Sequence, residues 1–160
     1  MSGILYAATL ATALGCGCVA GAFFAFSSFV MPALKRLPPA HGISAMQSIN
    51  KLAVTPAFMA AVFGTAAACL GLLAWAAISW GERPVALVLA GGALYFVGVI
   101  GVTIARNVPL NQRLAKLHFQ DADPTDRWDE YVTKWTAWNR ARAAAALAAA
   151  ATLTIALHAG

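Results

Sequence analysis

Four apolar runs, each long enough to cross a bilayer, leave this chain little freedom in how it folds. A helix needs about 20 apolar residues to span the hydrocarbon layer, and inside that layer every backbone N–H and C=O must be satisfied within the segment. The runs cover about residues 4–30, 54–80, 85–105 and 141–158. The first closes on Met31-Pro32, with Lys35 and Arg36 just beyond as interfacial anchors. The second carries Pro56 in its first turn, where a missing N–H costs little. The turn Gly81-Glu82-Arg83-Pro84 separates the second run from the third, and the fourth is Ala-rich. The expected fold class is all-α, one four-transmembrane-helix bundle occupying residues 1–160. Its 61% hydrophobic and 11% charged residues exclude an ordinary soluble domain, in which about 25% of residues are charged.

Two polar connections, residues 33–53 and 106–140, hold most of the chemistry. In the first, Ile43, Met46, Ile49 and Leu52 recur at helical spacing, which predicts a short helix over Gly42–Leu52 lying at the interface. In the second, Asp123-Pro124-Thr125-Asp126 is a helix start signal, and the helix it opens is expected to run through Trp138 straight into the fourth span. Ten of the eleven Lys and Arg residues sit in these connections or the adjoining helix ends, and only Arg83 lies opposite. The positive-inside rule then makes both polar connections cytoplasmic and puts both termini outside, in a multi-pass inner (plasma) membrane protein. The same placement explains the net charge of +5 by headgroup contact, so no nucleic acid is expected as partner. The first basic residue is Lys35, so the opening run lacks the basic start of a leader peptide and is expected to be retained.

Within the spans, Gly15, Gly17, Gly21, Gly91, Gly92, Gly98 and Gly101 suit close helix contact, with Gly17 and Gly21 forming one GxxxG pair. They serve either a tight bundle or a homo-oligomer, and spacing does not choose. Cys16, Cys18 and Cys69 all fall in apolar segments and read as small packing residues; Cys16 and Cys18 point to different helix faces, and no metal site is expected. No ionisable side chain lies near the middle of a span, which disfavours a proton-coupled pump. His41 and His118 are in the connections and His158 is at the C-terminal end, so a haem held between the helices is not expected.

Trp128, Tyr131, Trp135, Trp138 and Arg142 recur every three or four residues and share one helix face, with Asn139 beside them. Aromatic residues collect at membrane interfaces as anchors, which accounts for the stripe equally well. On the same side of the membrane are Gln47, Asn50, Asn107 and Asn111. Neutral amides are costly to bury without partners, so they either cap helices and tie loops together or converge with Arg142 and the indoles on a pocket for a flat, hydroxylated aromatic or quinone-like ligand.

The segments Gly21-Ala-Phe-Phe-Ala-Phe-Ser-Ser-Phe-Val-Met-Pro-Ala-Leu34, Met46-Gln-Ser-Ile-Asn50, Asn107-Val-Pro-Leu-Asn111 and Trp135-Thr-Ala-Trp-Asn-Arg-Ala-Arg142 resemble the anthrone oxygenase family, and the resemblance spans nearly the whole chain. It implies oxidation of an anthrone to an anthraquinone by molecular oxygen with no cofactor, neither metal nor flavin. An anthrone deprotonated at its central methylene is an electron-rich enolate that reacts with oxygen directly. A base must reach that proton: His41 and His118 are the candidates, with Asp126 and Asp129 as acidic alternatives, while the amides and Arg142 would stabilise the enolate oxygen. The rival expectation is a non-catalytic membrane module that binds lipid, quinone or a partner membrane protein. A small transporter is disfavoured by the uncharged spans.

Overall fold

In a computed structural model, which describes residues 2–79, 84–117 and 124–159, the chain is a helical bundle. Five helices account for nearly all of it: α1 (Gly3–Lys35), α2 (Pro39–Leu52), α3 (Pro56–Ile78), α4 (Val85–Ala115) and α5 (Thr125–Ala159). Four of them, all but α2, are long and apolar enough to cross a membrane. Their outward faces suit lipid: Ile4, Leu14, Phe24, Phe63, Ile78, Val97 and Leu147 are large, apolar and exposed. The expected architecture holds, and the chain is a multi-pass membrane protein.

α5 packs along both α1 and α4, and α3 closes the ring between them. Each long helix thus touches the two beside it, with a core of small and branched side chains such as Cys16, Val19, Cys69, Val88, Val99, Ala146, Ala149 and Leu153. Small residues set the spacing. A Cβ on Gly91 would meet the Leu153 side chain at 2.8 Å and one on Gly92 would meet Leu73 at 2.7 Å, while one on Gly98 would collide with Ala145 and one on Gly15 with Thr65. Gly17 and Gly21 have nothing within 4 Å, so the GxxxG pair takes no part in the packing of the bundle.

α2 covers one end of the bundle, seated against the last turn of α1, the end of α4 and α5. Its Ile43 and Met46 join Met31, Leu34, Leu114, Trp128, Tyr131, Val132 and Trp135 in a second apolar cluster. Gly42 permits this seat, because a Cβ there would lie 2.7 Å from the Trp128 ring. Both polar connections therefore meet at the same end.

Two boundaries differ from the sequence expectation, for one reason. The apolar pattern ends the first span at Met31-Pro32 and the third at 105, yet α1 continues to Lys35 and α4 to Ala115. A proline inside a helix removes one N–H and crowds the carbonyl four residues earlier. In both helices a wider π-type turn ends two residues before the proline: Phe26–Val30 ahead of Pro32, and Thr103–Asn107 ahead of Pro109. The Met31 N–H reaches the Phe26 carbonyl and the Val108 N–H reaches the Thr103 carbonyl. The extra residue in the turn makes room for the ring and lets the helix run on. A third boundary also moves: α2 begins at Pro39, three residues earlier than expected, while α5 is one helix from Thr125 as expected. Trp80, Arg83 and Asp123 lie outside the described residues.

Candidate functional site

The two proline-linked π-turns carry the polar residues that meet α5. Ser27 belongs to the first, Thr103 and Asn107 to the second. From α5, residues 128, 131, 135, 139 and 142 follow one another at steps of three and four, so they form a single inward stripe. All five are buried.

Arg142 is the centre of the arrangement. Its Nη1 donates to Thr103 Oγ1 at 3.0 Å and its Nη2 to Asn139 Oδ1 at 2.6 Å. The guanidinium lies 4.2 Å from the centroid of Phe23 and 5.6 Å from that of Trp135, within cation–π range of both. Asn139 is fully enclosed and ties the cation to α1, its Nδ2 donating to the Phe23 carbonyl at 2.6 Å and to Ser27 Oγ at 2.7 Å. Glu130, the acidic residue nearest to it along α5, is twelve positions away, about 18 Å along the axis. Among the described residues no carboxylate pairs with Arg142.

Next along the stripe, Asn107 donates through Nδ2 to the Trp135 carbonyl at 3.3 Å. Tyr131 donates its hydroxyl to Asn111 Oδ1 at 2.9 Å, with Asn50 close enough to interact with the same hydroxyl. Its ring stacks on Trp128 at 5.7 Å and leans on Trp135 at 6.5 Å. Three buried polar atoms around Trp135, namely Arg142 Nε, Trp135 Nε1 and Asn107 Oδ1, have no hydrogen-bond partner in the protein, and neither does Trp128 Nε1 further along the stripe. Buried polar groups are nearly always paired, and around Trp135 two donors and one acceptor stand unpaired on residues that touch each other.

The structure sorts the candidates. Asn107, Asn111, Tyr131, Trp135, Asn139 and Arg142 come together, with Asn50 at the edge. Gln47 does other work: its Nε2 donates to the Leu114 and Leu117 carbonyls at 2.8 and 3.2 Å, closing the end of α4. Trp138 turns outward under Arg106, 4.8 Å from its guanidinium, as an interfacial anchor would. His41, Asp126 and Asp129 are exposed, and Asp129 faces Lys35 at 3.6 Å. His118 lies outside the described residues.

Sequence patterning does not single out Phe23, Ser27 and Thr103, though all three touch Asn139 or Arg142. The available signal is Pro32 and Pro109, whose π-turns set the direction of Ser27 and Thr103. Among the described residues no three His, Cys, Asp or Glu side chains gather as a metal-binding group would.

A cleft of about 340 Å³ opens where α4 ends and α5 begins, lined by Leu110, Leu114, Leu117 and Tyr131 and rimmed by Arg113, Lys116, Arg127 and Glu130. Tyr131 thus has one side in the cleft and the other against Trp135, which lies under Arg142.

A family model described as anthrone oxygenase matches residues 52–152. That span takes in α3, α4 and most of α5, and with them Thr103, Asn107, Asn111, Tyr131, Trp135, Asn139 and Arg142. No curated protein and no solved structure matches the chain.

Proposed function

This chain belongs to the anthrone oxygenase family, and we propose that it oxidises an anthrone-like hydroxylated aromatic with molecular oxygen, using no bound cofactor, at the Arg142 end of its bundle. The observation that carries this reading is a buried guanidinium with no carboxylate partner among the described residues, beside unpaired donors on Trp135 and Arg142 itself. A buried cation without a counter-ion favours an anionic ligand, and an enolate oxygen is such an anion.

In the proposed reaction the anthrone loses a proton from its central methylene, and the resulting enolate passes an electron to oxygen before the C–O bond forms. The hydroperoxide then loses its remaining C–H proton as its O–O bond breaks, leaving the second carbonyl. One anthrone and one oxygen molecule give one anthraquinone and one water. Arg142 and the Trp135 N–H hold the enolate oxygen, while Asn107 Oδ1 accepts from a neighbouring phenolic hydroxyl. No described histidine or carboxylate lies against Arg142, so the cation favours the substrate's ionised form and the proton leaves to solvent. Entry is through the cleft, with Tyr131 and Trp135 parting to admit the rings.

The protein is read as an inner-membrane protein with α2 and the α4–α5 connection in the cytoplasm and both termini outside. The test is oxygen uptake and quinone formation by detergent-solubilised protein with a simple anthrone, against a protein-free blank because anthrones autoxidise. Arg142→Met should lose about 100-fold or more of the protein-dependent rate, with Arg142→Lys retaining part of it. A native rate equal to the blank would overturn the proposal.

The cleft supports a second reading, a non-catalytic module. Arg113, Lys116 and Arg127 around a leucine-lined hollow at the headgroup level suit an anionic lipid. Tight binding of anionic lipid together with no oxygen uptake would favour it.

A further inference from the structure

Trp128, Tyr131 and Trp135 form a stack of oxidisable rings between the Arg142 site and the cleft. Each is at most 5% exposed. Tyr131 lies between the two indoles, its ring centroid 5.7 Å from that of Trp128 and 6.5 Å from that of Trp135, at interplanar angles of 13° and 30°. These are the offset-stacked contacts that aromatic pairs favour, and π-systems in contact exchange electrons. The innermost ring, Trp135, lies 5.6 Å from the Arg142 guanidinium, and Tyr131 borders the cleft.

The three rings differ in what it costs to oxidise them. An indole that loses an electron stays a cation unless its N–H proton can leave, and neither Trp128 Nε1 nor Trp135 Nε1 has an acceptor in the protein. A positive charge on Trp135 would also stand beside the Arg142 cation, and like charges repel strongly where water is excluded. Tyr131 is the exception. Its hydroxyl already donates to Asn111 Oδ1 at 2.9 Å, and the residue borders an open cleft, so its proton has a way out and the oxidised ring is a neutral radical. An electron vacancy created at Trp135 therefore moves to Tyr131 and stops there.

We propose that Trp135 and Tyr131 are a protective relay, which carries an oxidising equivalent out of the Arg142 site to the cleft. The oxidant is an organic peroxyl radical, formed when a substrate radical captures oxygen, so the proposal rests on oxygen chemistry at Arg142. The peroxyl radical takes one electron from Trp135 and one proton from solvent and becomes a hydroperoxide. Trp135 recovers its electron from Tyr131, whose phenolic proton passes to solvent through the cleft. A water-soluble one-electron donor such as ascorbate then returns an electron and a proton to Tyr131.

The experiment uses the full chain in lipid nanodiscs with no anthrone present, so the relay is read separately from the oxygen uptake that tests the oxygenase. Light at the red edge of tryptophan absorption, where tyrosine does not absorb, ejects electrons that dissolved oxygen takes up. A water-soluble nitroso spin trap should then be found on Tyr131 by peptide mass spectrometry. Electron paramagnetic resonance of the frozen sample should show a tyrosyl radical whose lines narrow when the tyrosines are ring-deuterated. Tyr131→Phe keeps the stacked ring but has no phenolic proton to lose. It should lose the adduct and accumulate several-fold more kynurenine, the oxidation product of the indole, at Trp135, with Trp138 on the outer face as an unchanged control. Trap on Tyr6 or Tyr95 with none on Tyr131 in the native protein would overturn the proposal even if the variant failed to fold. Equal kynurenine at Trp135 with and without the hydroxyl would overturn it as well.

Discussion

Asn139 accepts a 2.6 Å hydrogen bond from Arg142 one turn further along α5, and it holds α1 through the Phe23 carbonyl and Ser27 Oγ with its other end. One amide therefore orients the cation and locks the helix pair that makes the largest contact in the bundle. Removing it leaves Nη2 of a buried cation unpaired. Asn139→Ala is expected to cost on the order of 3 kcal/mol, seen as a fall in apparent melting temperature in detergent, and to abolish protein-dependent oxygen uptake. A variant as stable as the parent would mean that Arg142 finds another partner.

The candidate bases make a sharper test of mechanism. His41, Asp126 and Asp129 are exposed, and the two carboxylates precede Arg142 on α5 by more than three turns. Asp129 is engaged with Lys35 in an ion pair that is itself exposed, and such pairs contribute about 0–1 kcal/mol. Their alanine variants should keep both melting temperature and turnover with an anthrone within about twofold, and the rate should rise with pH as the substrate ionises. Loss of turnover in any one of them would identify a protein base and end the solvent-proton mechanism.

The membrane spans were legible because their signal is crude: length, apolarity and basic flanks are imposed by the bilayer itself. The shared face of Tyr131, Trp135, Asn139 and Arg142 was legible because helical period is strict. What spacing could not give was direction between helices. Gln47 looks like Asn50 in sequence, but its amide reaches the open carbonyls at the end of α4. Trp138 is three residues from Trp135, yet it falls on the outer edge of the stripe, where it stacks with Arg106. Phe23, Ser27 and Thr103 escape notice because an apolar or hydroxyl side chain in a span looks ordinary until a proline shifts the register around it.

Helix-end closure gives Gln47 a stability role separable from ligand binding. Gln47→Ala should lower stability by about 1–2 kcal/mol, read from the melting temperature, with the affinity for an anthrone or a quinone unchanged. Asn111→Ala should do the reverse, since Asn111 is only half-buried and its Oδ1 serves the Tyr131 hydroxyl. If the two variants behave alike, the amides form one structural network.

Glycine positions that look equivalent in sequence should separate by measurement. A methyl at Gly98 would collide with Ala145 where α4 meets α5, whereas Gly17 and Gly21 have open space. Gly98→Ala is expected to cost about 1–3 kcal/mol through overpacking. Gly17→Ala and Gly21→Ala should be neutral or slightly stabilising in the solubilised protein. Equal effects at all three positions would require a different packing of α1.

Pro109 offers the most direct test of how the fold builds the site. The π-turn Thr103–Asn107 gives its ring room. By adding a residue to one turn, it also rotates the earlier part of α4 by about 100° relative to the later part. That rotation brings Thr103 to Arg142 and Asn107 to Trp135. Pro109→Ala removes the steric demand, so α4 can return to regular α-helical hydrogen bonding at no loss of stability. The expected variant melts at or above the temperature of the parent, yet binds and oxidises an anthrone at least roughly tenfold less well, because Thr103 and Asn107 no longer face α5. Full activity in Pro109→Ala would show that packing against α5, rather than the proline, holds the π-turn in place.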